Sequence, residues 1–211
     1  MIQIIDMIIH VDKYISYLLL EFGPVIYAIL FLIILAETGF VLTPFLPGDS
    51  LLFVLGVFAA KGDLNIITLL FLLTVAAVLG DSINYYAGKN FGSRILKNRG
   101  WVKKEYIEKT EAFYQKHGGK TIIMARFVPI IRTFAPFVAG ISSMEYRKFL
   151  SYNVIGGIAW VFLLVLAGYF FGTIPIVERN LSIVIFAIII ISLIPLAIEV
   201  AKHKLAKKNN L

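Results

Sequence analysis

The chain has 211 residues, of which 59% are hydrophobic and 16% are charged, and its formal net charge is +7. Its mean hydropathy of +0.87 excludes a disordered chain and an ordinary soluble domain, because a soluble fold of this size needs more polar surface. The absence of cysteine excludes disulfides, thiolate metal sites and cysteine nucleophiles. We expect residues 1–211 to form one all-α integral membrane domain, with no separate catalytic domain and no enzymatic activity.

The first part of the chain divides into three predicted segments. Residues 1–24 mix isoleucine and leucine with charged residues, which favours an amphipathic helix at the membrane interface over a signal peptide. Residues 25–60 hold two apolar stretches, each about half a membrane long, joined by Pro47-Gly48-Asp49-Ser50. We interpret 25–60 as a re-entrant helical hairpin, with one long kinked transmembrane helix as the alternative. Residues 64–86 are predicted to span the membrane.

The remaining segments are a polar loop, a second broken apolar stretch and two further spans. The loop is rich in lysine and arginine and can hold a surface helix whose side chains Ile107, Phe113 and Tyr114 face lipid. Prolines and arginines interrupt the apolar stretch that follows, so it resembles the first hairpin. The predicted segments are the basic cytoplasmic loop 89–120, re-entrant hairpin 121–145, transmembrane helices 149–172 and 181–200, and basic tail 201–211.

The distribution of basic residues predicts the topology, because loops rich in lysine and arginine remain in the cytoplasm. The loop 89–120 and the C-terminal tail are therefore both expected to be cytoplasmic, with an even number of spans between them. The second hairpin then opens to the cytoplasm and the first to the outside. The side on which the N-terminus lies is left open. We assign the two tryptophans and ten tyrosines to the interfacial belts.

A weak internal repeat supports this organisation. The sequence Ala87-Gly88-Lys89-Asn90-Phe91-Gly92 is echoed by Ala167-Gly168-Tyr169-Phe170-Phe171-Gly172, eighty positions later. Each copy ends a span that follows a broken half-span. We expect two opposed re-entrant hairpins in an inverted repeat, an arrangement common among secondary transporters. The alternative is that small residues recur by chance in membrane helices.

Five ionisable residues lie within apolar sequence: Glu37, Asp49, Asp81, Arg126 and Arg132. Each costs about 2.5–3.5 kcal/mol if it lies alone at the membrane centre, so a partner or a water-filled cavity is expected. Hairpins that meet tip to tip would bring the two acids of the first toward the two arginines of the second. Simpler roles remain open: Asp49 as a helix cap, Asp81 as an interfacial anchor, and the arginines as structural ion-pair partners.

The functional hypothesis is an arginine site for an anion, controlled by protons. Arginine stays charged in lipid, and its planar fork suits phosphate oxygens. The predicted substrate-binding residues are Arg126, Arg132, Glu37 and Asp49, and the predicted proton-coupling residues are Glu37, Asp49 and Asp81. Protonation of Glu37 or Asp49 would release an arginine to a phosphate head group. Burial favours the protonated carboxyl and a nearby arginine opposes it, so the net direction is left open.

Distinctive motifs lie in seven stretches of the chain, at 37–39, 43–53, 80–85, 117–120, 125–140, 152–156 and 167–175. They resemble the signatures of the bacterial DedA family, within the wider VTT-domain superfamily. The resemblance covers nearly the whole chain and is most specific over residues 117–120 and 125–140. It implies an inner-membrane protein with two opposed re-entrant hairpins, linked to recycling of undecaprenyl phosphate, phospholipid translocation and proton-motive force. By resemblance, Glu37, Asp49, Arg126 and Arg132 fall on the functional acids and arginines of the family.

The favoured function is transport of an anionic lipid, undecaprenyl phosphate or a phospholipid, between membrane leaflets. A proton-coupled exchanger of small ions or drugs is the alternative, and a structural membrane factor is a weaker third. The isolated histidines His10, His117 and His203 predict no metal site, and the lack of a P-loop argues against ATP-driven transport. No cofactor is expected. The expected partners are anionic lipid, protons and the bilayer rather than nucleic acid, with a homodimer permitted by glycine-rich helix faces.

Overall fold

A computed structural model of the chain describes residues 21–39, 48–97, 104–142, 144–180, 183–184 and 187–188. All regular elements among these residues are helical. Most of the N-terminal segment 1–24, most of the predicted span 181–200 and the tail 201–211 lie outside the described residues, so the predictions for them remain predictions. The same holds for the loop 40–47 in the middle of the first predicted hairpin.

The helices begin where the local sequence favours a helix start. The side chain of Asn65 accepts the backbone N–H of Thr68 at 3.0 Å, which caps the start of the third helix. Proline is the first residue of the sixth and eighth helices. Its missing N–H costs nothing there, because the first N–H groups of a helix have no acceptor within the helix. The helices are α1 (Ile26–Gly39), α2 (Gly48–Ala60), α3 (Ile66–Lys97), α4 (Lys104–His117), α5 (Thr121–Ala125), α6 (Pro129–Ile141), α7 (Tyr146–Phe171) and α8 (Pro175–Arg179).

Two of these helices are long and apolar enough to cross a membrane, Ile66–Gly92 within α3 and Tyr146–Phe171 as α7. The helices α1 and α2 have 14 and 13 residues, about 20 Å each, and are shorter than the roughly 30 Å hydrocarbon core. Helix α3 continues past the predicted end of its span, 86, to Lys97. Hydropathy indicates where an apolar segment ends. The helix continues into polar sequence because its backbone hydrogen bonds do not depend on hydropathy.

Both the inward and the outward faces of the long helices are apolar. Leu69, Leu73 and Ala76 of α3 are fully buried, while Ile67 and Phe71 on the same helix are mostly exposed. A helix that is apolar on all sides is typical of a membrane environment, since exposure of its outward apolar face to water would be unfavourable. The other large apolar side chains exposed on α3 and α7 are Leu79, Ile83, Phe91, Ile155, Ile158, Phe162, Leu163, Phe170 and Phe171.

The short helices pack on the long ones in a crossed pattern. Helix α1 packs on α3 and α5 packs on α7, within the same half of the chain. Helix α2 instead packs on α7, and α6 packs on α3. The second short helix of each half therefore lies against the long helix of the other half, and α3 and α7 also contact each other.

Glycine pairs allow the backbones of these crossed helices to touch. A Cβ atom on Gly56 of α2 would overlap the Val165 carbonyl of α7, and one on Gly168 would overlap the Phe53 carbonyl of α2. The same relation holds between α3 and α6, where Gly88 lies against the Phe137 carbonyl and Gly140 against the Tyr85 carbonyl. Small residues drive membrane helices together by such close approach.

Helix α4 covers α6 with its apolar side. Ile107 is buried, and the hydroxyl group of Tyr114 donates to the Ala135 carbonyl at 2.9 Å. The prediction that these two side chains face lipid was therefore wrong. An amphipathic helix can bury its apolar face in lipid or in protein with the same sequence pattern, so the pattern alone could not distinguish the two.

Candidate functional site

One guanidinium group shared by two carboxylates forms the centre of the site. Arg132, in the first turn of α6, donates from Nη2 to Glu37 Oε1 at 2.9 Å and from Nη1 to Asp49 Oδ1 at 3.0 Å. Glu37 lies near the end of α1, and Asp49 lies in the first turn of α2. Each terminal nitrogen of the guanidinium thus binds a different carboxylate, and three helices meet at one arginine.

The start of α2 leaves space for the carboxylate of Glu37. Gly48 opens α2, and a Cβ atom at this position would overlap the Glu37 carboxylate group. The carboxylate therefore lies against the first turn of α2, where backbone N–H groups without a helical partner favour negative charge. Asp49 adds a second acid in the same turn, so the Gly48-Asp49 pair brings both carboxylates to one place.

Trp160 of α7 completes this centre. Its indole N–H donates to Asp49 Oδ1 at 2.9 Å, the oxygen that Arg132 also contacts. The ring centroid lies 4.0 Å from Cζ of Arg132 and 5.8 Å from Cζ of Arg126, distances at which the ring face attracts a cation. Trp160 is only 1% exposed. The assignment of tryptophan to an interfacial belt was therefore wrong for this residue.

A second arginine centre lies on the same face of α7. Arg126, between α5 and α6, donates from Nη2 to Asp81 of α3, and to Asn153 Oδ1 of α7 at 2.6 Å. The amide nitrogen of Asn153 donates to the Val78 carbonyl at 3.0 Å, which fixes the orientation of the amide. Gly156 makes room for the Arg126 side chain, because a Cβ atom there would lie 3.2 Å from Cδ and Nε.

The two centres differ in access. The side chains of Arg132 and Asp49 are 14% and 28% exposed, whereas those of Arg126 and Asp81 are 2% and 7% exposed. Nε and Nη1 of Arg126 and Oε2 of Glu37 are buried and have no hydrogen-bond partner among the residues that the structure describes. A buried donor or acceptor without a partner is costly. The first centre can therefore exchange a partner with its surroundings more readily than the second.

The structure brings all five predicted residues into two neighbouring centres, but not in the predicted pairing. If the two hairpins meet at their tips, Glu37 and Asp49 are expected near both arginines. In the structure, both acids pair with Arg132. Arg126 pairs with Asp81 instead, a residue outside either hairpin. Sequence reasoning missed Trp160 and Asn153. The signal available for both was a polar or N–H-bearing side chain within the apolar span 149–172, and the two residues lie seven positions apart on one helix face.

The charge of the two centres decides what they can hold. Three carboxylates face two guanidinium groups, which leaves one negative charge in excess when all five groups are ionised. An excess charge in apolar surroundings favours uptake of a proton or of a cation. Among the described residues, no group of three histidine, aspartate or glutamate side chains could hold a metal ion. The arrangement therefore suits uptake of a proton or a cation by the carboxylates, and a carboxyl that is protonated leaves Arg132 able to bind an anion.

The chain matches known membrane proteins over most of its length. The VTT domain family matches residues 46–170. The chain is 53% identical over 207 residues to "Protein DedA" of Escherichia coli strain K12, covering 96% of this chain and 94% of that protein. It is 40% identical over 192 residues to the "Uncharacterized membrane protein Rv0364" of Mycobacterium tuberculosis strain H37Rv, covering 89% of this chain and 84% of that protein. The "Inner membrane protein YqjA" of E. coli K12 is 36% identical over 155 residues, covering 72% and 70%. No solved structure matches the chain.

Proposed function

Because the chain belongs to the DedA family of VTT-domain membrane proteins, we propose that it moves an anionic lipid between the leaflets of the bacterial inner membrane. The lipid we propose is undecaprenyl phosphate or a phospholipid. The location is supported by a relative named as an inner membrane protein and by the two apolar spans. This is transport without chemical change of the lipid, so the chain is not an enzyme in this proposal.

The observation that carries the proposal is the arginine with two exchangeable carboxylates. Both terminal nitrogens of Arg132 are occupied by Glu37 and Asp49 at 2.9 and 3.0 Å, in the geometry that also suits two oxygens of one phosphate. A phosphate head group can therefore replace a carboxylate on Arg132. The partial exposure of Arg132 and Asp49 supports access from outside the bundle.

Protons provide the release step in this proposal. A carboxyl that takes a proton loses its ionic attraction to Arg132 and leaves the guanidinium to the phosphate. Glu37 is suited to this role because its Oε2 has no hydrogen-bond partner among the described residues. Asp49 and Asp81 are the other proposed proton carriers. The protons would enter with the proton-motive force and leave when the carboxylates rebind arginine.

Arg126 forms a second position for the head group in the same proposal. The Trp160 ring lies within 5.8 Å of both guanidinium carbons, so the two arginines flank one path. In this structure Arg126 is hydrogen-bonded to Asp81 and Asn153. Neutralisation of Asp81 would release Arg126 to bind the head group.

We also propose that the two halves of the chain form an inverted repeat with two opposed re-entrant hairpins. Support comes from the crossed packing of α2 on α7 and α6 on α3 and from the matching glycine contacts of Gly56 with α7 and Gly140 with α3. A cytoplasmic C-terminus and a homodimer complete the proposed architecture. Hairpins that enter from opposite sides would bring their tips to the midplane, where transporters bind their substrates.

Reconstitution tests the proposed activity. The purified protein is incorporated into liposomes with labelled undecaprenyl phosphate, or with labelled phospholipid in a parallel series, and leaflet exchange is measured at two pH values. Arg132→Ala should abolish exchange, while Lys61→Ala on the exposed turn after α2 should retain it. Absence of exchange for every lipid by a folded protein would refute the proposal.

The alternative of proton-coupled exchange of a cation is favoured by one observation, the excess negative charge of the five ionisable groups. A cation would bind between Glu37 and Asp49 and displace Arg132. Proton movement across vesicles, driven by a gradient of a small cation or a cationic drug, measures this activity. Cation-driven proton flux without lipid exchange would favour the alternative.

A further inference from the structure

The indole N–H of Trp160 and one N–H of Arg132 point to a single acceptor. Trp160 Nε1 lies 2.9 Å and Arg132 Nη1 lies 3.0 Å from the same atom, Asp49 Oδ1. The two donors come from α7 and α6, and the acceptor from α2. Three helices thus define one oxygen position in the site.

Trp160 needs an acceptor at this position at all times. The indole nitrogen is a donor only, and the residue is 1% exposed, so water does not reach it from the surface. If Asp49 leaves Arg132, the indole N–H loses its partner inside the protein. A buried donor left without a partner is unfavourable, unless the incoming group takes over the bond.

We infer that Trp160 is a substrate-binding residue, which passes its hydrogen bond from Asp49 to a phosphate oxygen of the incoming head group. This inference rests on the proposed function and adds a ligand to it. A phosphate oxygen that replaces Asp49 Oδ1 on Arg132 arrives where the indole N–H already points. The ring face against Arg132, 4.0 Å from its Cζ, holds the guanidinium in place during the exchange.

The inference also gives the site a preference for anions. The indole N–H is a donor and cannot bind a cation, and its bond to Asp49 occupies an oxygen that a cation would need. Loss of the indole N–H should therefore weaken anion binding where Asp49 no longer accepts its bond, and should leave cation binding to the natural site unchanged or make it tighter. The sign of the effect distinguishes the two classes of substrate.

The test is a pair of matched comparisons on the full-length protein in detergent. The probe is decyl phosphate, with inorganic phosphate as a second probe that separates the head group from the alkyl chain, and binding is measured by calorimetry. Trp160→Phe is made in the natural sequence and in Asp49→Ala. The phenylalanine keeps an aromatic ring in the core while it removes the N–H, and elution volume and thermal transition report folding.

The two backgrounds should respond differently. In the natural sequence, Trp160→Phe removes the hydrogen bond to Asp49 from the free protein and the hydrogen bond to phosphate from the complex. The two losses nearly cancel, so the affinity for phosphate should change about threefold or less. In Asp49→Ala the N–H has no acceptor from Asp49 in the free state, so Trp160→Phe should weaken binding about tenfold or more. Equal affinities of Asp49→Ala with and without Trp160→Phe would overturn the inference and leave the proposed function standing.

A spectroscopic measurement avoids altering Trp160. In a Trp101→Phe protein, Trp160 is the only remaining tryptophan, and decyl phosphate should change its emission with the same affinity that calorimetry reports. Binding with no change in emission would overturn the inference. If no phosphate probe binds the natural protein, or if tetraphenylphosphonium binds and Trp160→Phe makes it bind more tightly, the proposed function fails as well.

Discussion

The difference in burial between the two arginine centres predicts very different costs for removing their acids. Asp81→Asn leaves Arg126 charged in surroundings where the two side chains are 7% and 2% exposed. Breaking a buried pair by removing one partner costs about 3–5 kcal/mol. Asp49→Asn leaves Arg132 paired with Glu37, and the Asp49 side chain is 28% exposed. We expect that change to cost about 1 kcal/mol.

The assay is unfolding of the purified protein by increasing mole fraction of SDS in mixed micelles, followed by circular dichroism. A third protein, Asp81→Asn with Arg126→Gln, removes both charges. It should regain at least half of the stability lost in Asp81→Asn, because no uncompensated charge is left. The reasoning would be refuted if Asp81→Asn cost no more than Asp49→Asn, or if the double change were no more stable than Asp81→Asn alone.

Three further predictions concern the proton step, helix packing and α4. Glu37→Gln should remove most of the difference in lipid exchange between two pH values, because the amide cannot take up the proton; an unchanged pH response would exclude Glu37 as the proton carrier. Gly168→Ala should lower the free energy of unfolding by about 1–3 kcal/mol, since its Cβ would overlap the Phe53 carbonyl, whereas Ser151→Ala on the same helix should change it by less than about 0.5 kcal/mol. Tyr114→Phe should cost about 1 kcal/mol through loss of the bond to Ala135. Burial also raises the pKa of Tyr114, so the natural protein should show no more tyrosinate absorbance than the variant at a pH where exposed tyrosines ionise.

The helical class and the positions of the half-length helices could be predicted because they depend on local properties. Apolar length indicates α3 and α7, and proline and glycine at 44–48 indicate the gap between α1 and α2. The five charged residues of the site could be recognised because a charged residue in apolar sequence is rare and costly.

The partners of those charges could not be predicted, because pairing depends on which helices pack. Asp81 faces Arg126 only because α3, α7 and the α5–α6 turn meet there. Residue type alone predicts an interfacial location for Trp160, because tryptophan is common there, whereas the packing around α7 buries this side chain. The partner of the apolar side of α4 could not be predicted either, because the same apolar residues suit contact with α6 and contact with lipid.

The crossed packing of the helices has a consequence for synthesis. Arg132 follows Asp49 by 83 residues and Glu37 by 95, and α2 lies against α7, which is made later still. At about 5–20 residues per second, the two acids exist for several seconds before their arginine emerges from the ribosome. During that time α1 and α2 hold carboxyls without their partner, which favours a protonated or water-exposed hairpin. The nascent chain can complete neither half alone, and the ion pairs on Arg132 cannot form before α6 has been synthesised.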